Sequence, residues 1–295
     1  DLAQLVAEGD RLAFSTDSYV IDPLFFPGGN IGKLAICGTA NDVAVSGAIP
    51  RYLSCGFILE EGLPMETLKA VVTSMAETAR AAGIAIVTGD TKVVQRGAVD
   101  KLFINTAGMG AIPANIHWGA QTLTAGDVLL VSGTLGDHGA TILNLREQLG
   151  LDGELVSDCA VLTPLIQTLR DIPGVKALRD ATRGGVNAVV HEFAAACGCG
   201  IELSEAALPV KPAVRGVCEL LGLDALNFAN EGKLVIAVER NAAEQVLAAL
   251  HSHPLGKDAA LIGEVVERKG VRLAGLYGVK RTLDLPHAEP LPRIC

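Results

Sequence analysis

Aromatic residues are scarce in this chain: one tryptophan, three tyrosines and seven phenylalanines make up 4% of 295 residues. A core of ordinary density must then come from Ala, Val, Leu and Ile on helices and strands in close contact, which favours sheets covered by helices. Positive charge is also limited. Lys and Arg number 24 against 33 Asp and Glu, a formal net charge of -9, and no basic cluster is interleaved with aromatics, which argues against a nucleic-acid partner. No apolar run approaches the roughly 20 residues of a membrane-spanning helix, and no signal peptide opens the chain. The sequence therefore reads as a cytoplasmic protein without a membrane partner. Its seven cysteines, Cys37, Cys55, Cys159, Cys197, Cys199, Cys218 and Cys295, form no CxxC pair, which argues against zinc and against a disulfide framework. Six lie in apolar segments such as RYLSCGFILE and read as small buried hydrophobes. Cys295, at the end of HAEPLPRIC, is the one expected to be exposed.

The periodicity that is present alternates between strand and helix. RLAFSTDSYVI, RYLSCGFILE, AIVTGDTKVV and LFINTAGMG read as strands, while IGKLAICGTANDVAVSGA and METLKAVVTSMAETARAAG read as helices. Periodicity lapses over residues 111–127 and resumes at VLLVSG, so a domain boundary is expected near Ile112 and Pro113. A second α/β series follows, with helices expected at HGATILNLREQLG, VLTPLIQTLRDI, GGVNAVVHEFAAACG, AVRGVCELLG and AAEQVLAALHS. Its strands are expected at KALRDA, GIELS, KLVIAVE and ALIGEVV. The predicted organisation is an α/β (α+β) fold with domains at 1–111 and 112–285 and a flexible tail at 286–295. Pro286, Pro290 and Pro292 bar that tail from a helix or central strand. In extended polyproline-like geometry its nine steps would reach about 28 Å.

Aspartates stand out where apolar elements end or turn: Asp17 in FSTDSYV, Asp42 in TANDVAV, Asp90 in VTGDTKV and Asp180 in LRDATRGGV. Capping or turn formation explains any one of them, but explains all four less well. Oxygen ligands of this kind suit magnesium, which usually takes one or two carboxylates and completes its shell with substrate phosphates. Glycines lie beside these acids, including Gly89. PGGNIGK resembles a P-loop superficially, yet it is one residue short and lacks the Ser or Thr that would hold magnesium, so a Walker A site is rejected. What remains is a glycine-rich entry into a helix, a grammar that favours anions and recurs in SGTLGDHGAT and TRGGV. Lys92 and Arg183 are plausible phosphate partners. Glu231, in NEGK ahead of a strand, is either a turn residue or a general base whose pKa is raised by burial. His138, in GDHG, is the only histidine near candidate phosphate chemistry.

Taken together, STDSYV, GGNIGKLAICGTANDVAVSGA, VTGDTKVV, SGTLGDHG, DATRGGVNAVVHE, NEGKLVIAV and the terminal PRIC resemble the hydrogenase expression/formation (HypE) family. That family belongs to the PurM-like superfamily of aminoimidazole ribonucleotide synthetase, selenophosphate synthetase and thiamine-monophosphate kinase. The resemblance covers nearly the whole chain, and PRIC distinguishes this family within the superfamily. It implies a two-domain PurM-like ATP-binding fold, with the N-terminal domains paired into a β-barrel in a homodimer. It also implies ATP and Mg²⁺ as cofactors, with Asp17, Asp42, Asp90 and Asp180 as metal ligands and Asn41, Asp42, Lys92, Arg183 and Gly89 as nucleotide contacts. Relatives carry a glycine-rich segment ahead of the first strand, so this chain is expected to lack its natural N-terminus.

By the same resemblance the Cys295 thiol receives a carbamoyl group from the carbamoyltransferase HypF, and ATP-dependent dehydration converts it to a thiocyanate. The cyanide then passes to an iron-carrying HypC–HypD complex during [NiFe]-hydrogenase maturation. Glu231 is the first candidate for the base and His138 the second. The alternatives are another ATP-dependent enzyme of the superfamily acting on a small molecule, and a catalytically silent scaffold that binds maturation partners through its tail.

Overall fold

The alternation in RLAFSTDSYV makes a strand, β1 (Leu12–Tyr19), with Ser15, Asp17 and Tyr19 on its covered side and Phe14, Thr16 and Ser18 exposed. The structure, a computed structural model, describes residues 11–151, 153–286 and 291–295; the first ten residues, His287 and Pro290 lie outside it. A ribbon of β2 (Phe25–Phe26) and β3 (Gly29–Asn30) leads into α1 (Ile31–Ala44). Asn30 caps this helix, its side-chain oxygen accepting from the N–H groups of Gly32 and Lys33 at 2.8 and 3.2 Å. β4 (Ile49–Glu60), α2 (Met65–Ala81), β5 (Ala85–Val94) and β6 (Leu102–Ala111) follow. Together they build a four-stranded sheet in the order β1-β6-β4-β5, in which only β4 and β5 run parallel.

Both helices cover one face of that sheet. Thr106 of β6 donates to the Ala35 carbonyl of α1, and Cys55 of β4 meets Met75 of α2. The other face is uncovered and carries Leu12, Phe14 and Ile58, with Phe14 68% exposed. α1 is apolar around nearly its whole circumference and is buried accordingly. Besides the sheet it touches elements of the second half of the chain, so it lies between the two.

The second half contains β7 (Val128–Val131), α3 (Asp137–Glu147), α4 (Thr163–Gln167), β8 (Val175–Asp180), α5 (Gly185–Cys197), β9 (Gly200–Ser204) and α6 (Pro212–Leu221). It continues with β10 (Leu234–Val238), α7 (Ala243–His251), β11 (Ala260–Val266), β12 (Gly270–Ala274) and β13 (Lys280–Thr282). Its seven strands are ordered β13-β12-β9-β11-β7-β10-β8 and are antiparallel except for β9 with β12. β7 and β10 are buried at every position, which explains their unbroken runs VLLV and LVIAV.

Two sequence expectations need revision. VLTPLIQTLRDI yields only α4, because after Gln167 the backbone tightens into successive three-residue turns such as Leu169 N–H to the Ile166 carbonyl. β12 and β13 were not anticipated; they are short, half-exposed strands in which only Val271 and Leu273 turn inward. Among the described residues, no helix is long and apolar enough to cross a membrane.

Candidate active site

The inward row of β1, the last turn of α1 and the end of β8 converge on Asp17, Asp42 and Asp180. Ser15 donates to Asp42 at 2.7 Å. The Arg179 guanidinium lies 3.6 Å from Asp42 and 3.7 Å from Asp180, and also meets Glu192 at 3.4 Å. Burial and the neighbouring Asp42 charge push the Asp180 carboxyl up to about 7. Asp17 is raised by burial first and by Asp42 less strongly. One oxygen of Asp180 is buried without a hydrogen-bond partner. Carboxylates that repel one another, with a buried oxygen that has Arg179 at 3.7 Å but no hydrogen bond, make a donor set that a hard divalent cation would relieve, so these three residues fit magnesium. Among the described residues no three His, Cys, Asp or Glu side chains stand preassembled as a metal cage.

Asp90 does not join this group within the protomer. In the sheet, Asp17 aligns with Thr106, Cys55 and Gly89 on the helix-covered face, whereas Ser18, Asn105, Gly56 and Asp90 form the next row, on the open face. Asp90 pairs with Lys92 at 2.9 Å with both side chains about 70% exposed. The lysine, and then the Thr91 N–H, hold the Asp90 carboxyl below its usual range. The expected ligand and its phosphate partner thus face away from Asp17, Asp42 and Asp180. Gly89 lies on the covered face, where a β-carbon would collide with the Cys55 carbonyl.

Asn41 is also engaged elsewhere: it donates to the Ala160 carbonyl at 3.0 Å and accepts from Leu162 N–H at 2.8 Å, which ties α1 to the loop before α4. Several backbone groups of PGGNIGK are similarly engaged, Ile31 N–H with the Leu24 carbonyl among them. Gly32 and Lys33 N–H serve the Asn30 cap, and the Pro27 carbonyl accepts from Ser157. This segment therefore closes a helix end rather than cradling an anion. In TRGGV, Gly184 and Gly185 both adopt left-handed backbone, with φ of 77° and 61°, and turn the chain sharply into α5 beside Arg183.

The tail overturns the expectation of an exposed thiol. Leu291 and Ile294 are buried in the core shared by α1, α3 and α6, and Cys295 is only 7% exposed. Cys197 and Cys199, expected to be buried, are the partly exposed ones. The last residues are held through their main chain. Arg146 donates to the carbonyls of Pro292 and Arg293, His138 Nε2 to that of Ile294 at 2.8 Å, and Val20 N–H to the main-chain oxygen of Cys295 at 2.9 Å. Cys295 Sγ lies 3.5 Å from Arg183. Burial, and then the charge of nearby Glu231, raise the thiol from an ordinary value of 9.0 to about 12, against the pull of Arg183.

His138 is fully buried between Ile294 and Ser157, whose hydroxyl lies 2.7 Å from Nδ1. The Ile294 carbonyl can only accept, so Nε2 carries the hydrogen and Nδ1 accepts from Ser157. Burial lowers the pKa of the ring. Both nitrogens are occupied, and His138 holds the tail in place. Glu231 differs: it is 2% exposed, one carboxyl oxygen has no partner, and burial followed by nearby Cys159 and Asp158 raises its pKa well above the ordinary value. The NEGK turn around it is set by Asp158, which accepts from the N–H groups of Glu231 and Gly232 at 3.0 and 3.2 Å and from Lys233 at 3.1 Å. Burial opposes the Asp158 charge, yet Lys233 and these amides keep its carboxyl below the usual range. Only glycine fits at 232, because a β-carbon would strike the Asp158 backbone. Asp158 and Arg179 were missed from sequence. Arg179 had a signal in its position directly before Asp180; Asp158, in LVSDCAV, had little beyond being an acid in an apolar run.

Residues 1–112 match the N-terminal domain of AIR synthase related proteins, and residues 124–275 match their C-terminal domain. The carbamoyl dehydratase HypE of Rhodobacter capsulatus is 50% identical over 99% of this chain and 87% of its own length. The crystal structure of E. coli HypE superposes with a TM-score of 0.97 at 98% identity, covering all of this chain and 92% of that one. A HypE solved in complex with ATP gives a TM-score of 0.96 at 46% identity over all of this chain and 90% of that one. A HypE–HypF complex gives 0.91 at 48% identity over 93% and 90%. A buried tail thiol beside a glutamate with one unpartnered oxygen and a repelling carboxylate set thus occurs on the fold of an ATP-binding enzyme family, and this chain belongs to the HypE carbamoyl dehydratases among the AIR synthase related proteins.

Proposed function

We propose that this chain dehydrates a carbamoyl group carried by its own Cys295: R–S–C(=O)NH₂ and ATP give R–S–C≡N, ADP and phosphate. The observation that carries this reading is the placement of the Cys295 sulfur, 3.5 Å from Arg183 and beside Glu231, at the edge of the Asp17, Asp42 and Asp180 group. Magnesium, held by those three aspartates, would neutralise charge on the transferring phosphoryl group. The amide oxygen is a poor leaving group. Once it has taken the γ-phosphoryl group, with ADP departing, it can leave as phosphate. One nitrogen proton is released as the oxygen is phosphorylated, giving an imidate; ionised Glu231 takes the second, the C–O bond breaks, and the electron pair of that N–H bond completes the C≡N bond. The raised pKa of Glu231 makes its carboxylate a stronger base than an exposed one. Arg183 can hydrogen-bond the polar carbamoyl group, and the buried setting excludes water that would hydrolyse the phosphorylated intermediate.

The docked thiol is neutral and poorly nucleophilic, so carbamoylation belongs to an undocked tail, on which the thiolate is accessible to a carbamoyltransferase of the HypF type. Withdrawal of the tail afterwards would present the cyano group to an iron-carrying HypC–HypD complex in the cytoplasm. The uncovered face of the first sheet, with Leu12, Phe14 and Ile58, suits pairing with a second copy. In such a homodimer Asp90 and Lys92 would approach the partner rather than their own Asp17. The domain division at about residue 112 and the tail from 286 complete the proposed organisation.

The test is intact-protein mass spectrometry of chain carbamoylated at Cys295, with and without Mg-ATP, against a Cys295→Ala control. Loss of one water from the tail peptide only when Mg-ATP is present supports the reading. ATP consumption on a small-molecule acceptor with Cys295 unmodified would move the assignment to another superfamily activity.

A further inference from the structure

The groove that receives the tail is built like a peptide-binding site. Arg146 and His138 together donate to three consecutive carbonyls, those of Pro292, Arg293 and Ile294, and the Val20 N–H meets the main-chain oxygen of Cys295. These contacts fix chain direction and register without reading any side chain. Arg146 is itself oriented by donating Nε–H to the Asp22 carbonyl at 2.6 Å. Leu291 and Ile294 are buried as apolar anchors, 5% and 2% exposed. Among the described tail residues, Arg293 alone is read by charge. Its guanidinium donates to Asp100 at 2.8 Å and to the Val20 carbonyl at 2.9 Å, and lies 5.9 Å from the centre of the Phe103 ring. Each of these contacts is non-covalent and is made by residues 291–295.

We propose that this groove recognises Leu-Pro-Arg-Ile-Cys as a separable ligand, so that the chain can dehydrate an S-carbamoyl peptide of that sequence supplied in trans. The inference rests on the dehydratase reading and extends it to a substrate class: a short peptide ending in S-carbamoylcysteine, with arginine two residues before it. The bonds are those of the internal reaction. The carbamoyl oxygen leaves as phosphate, ADP is released, both nitrogen protons are lost, and the peptide ends as a thiocyanate. The chain's own tail competes with an effective concentration in the millimolar range, so activity in trans requires that it be expelled.

The experiment uses full-length chain carrying Ile294→Asp and Cys295→Ser, which removes an anchor and the reactive sulfur. The synthetic peptide is S-carbamoylated beforehand with cyanate, and Mg-ATP is supplied. Mass spectrometry should show the peptide lose one water, with turnover at subsaturating peptide about fivefold lower for Leu-Pro-Ala-Ile-Cys, as expected for a partly exposed charge pair. Asp100→Asn in the same chain should reduce that preference, leaving what the Val20 carbonyl and the Phe103 ring contribute. Equal turnover of the two peptides would overturn recognition through Arg293. No turnover of either, while wild-type chain converts its own carbamoylated Cys295, would overturn action in trans. If wild-type chain also fails to convert its own tail, the dehydratase reading fails and this inference falls with it.

Discussion

Asp17 and Asp90 belong to one four-stranded sheet, sit in adjacent register rows, and end up on opposite faces. Asp17 is half-buried beside Asp42 and the tail thiol, while Asp90 stands in solvent paired with Lys92. In sequence they look alike, each a lone acid within a strand. The difference teaches that a strand's two-residue period sorts side chains by face, and that the face of one strand relative to another is decided by pairing register. In the proposed homodimer, a site that uses both acids would draw them from two copies of the chain.

The most disruptive way to probe that difference is to neutralise each acid in turn and then combine the variants. Asp17→Asn and Asp90→Asn should each lower ATP-dependent dehydration on the order of 10²-fold or more, by loss of charge complementarity to phosphate and cation. Mixing the two variants under conditions that allow subunit exchange should restore activity. An unrestored mixture would place both acids in one protomer's site. Glu231→Gln should lower the dehydration rate to a similar extent while leaving ATP binding intact, as measured by nucleotide titration and single-turnover kinetics.

Smaller effects sharpen the contrast between buried and exposed acids. Asp180 has its carboxyl raised to about 7 from 3.8. Its charge therefore costs nothing below pH 3.8, and the penalty grows until the folded group is ionised above about 7. Asp180→Asn should raise the melting temperature by several degrees at pH 8 in magnesium-free buffer, and by less at pH 5. Asp90→Asn should leave it unchanged at both.

The tail gives the mildest readout. A thiol shifted from 9.0 to about 12 favours docking fully below pH 9, and loses that contribution as pH rises toward 12, because only the undocked thiol ionises readily. After correction for thiolate content, Cys295 alkylation by iodoacetamide should accelerate through that window. A flat corrected rate would contradict the docked geometry.

Much of this could be read from residues alone. The elements of the first half were plain: β1, β6 and α2 each keep a clean period, and α1, β4 and β5 stand out as apolar runs of helix or strand length between turn residues. Asp17, Asp42, Asp90 and Asp180 were marked by polarity set against an apolar run, Arg183 by its place among glycines, and Glu231 by its position ahead of an apolar strand. What stayed hidden depends on contacts between distant parts of the chain. A proline-rich ending reads as exposed, yet Leu291 and Ile294 anchor it and Arg146 clamps it from well over a hundred residues away. Asn41 reads as a ligand contact until the Ala160 and Leu162 backbone is brought to its amide. His138 reads as a base until Ser157 and Ile294 occupy both nitrogens.

In the proposed reaction the carbamoyl oxygen is expelled as phosphate from a docked tail. It is tested most directly by carbamoylating Cys295 with heavy-oxygen-labelled cyanate, adding unlabelled Mg-ATP, and analysing the phosphate released in a single turnover. The account predicts one heavy oxygen in that phosphate for each thiocyanate formed. Unlabelled phosphate accompanying thiocyanate would contradict it.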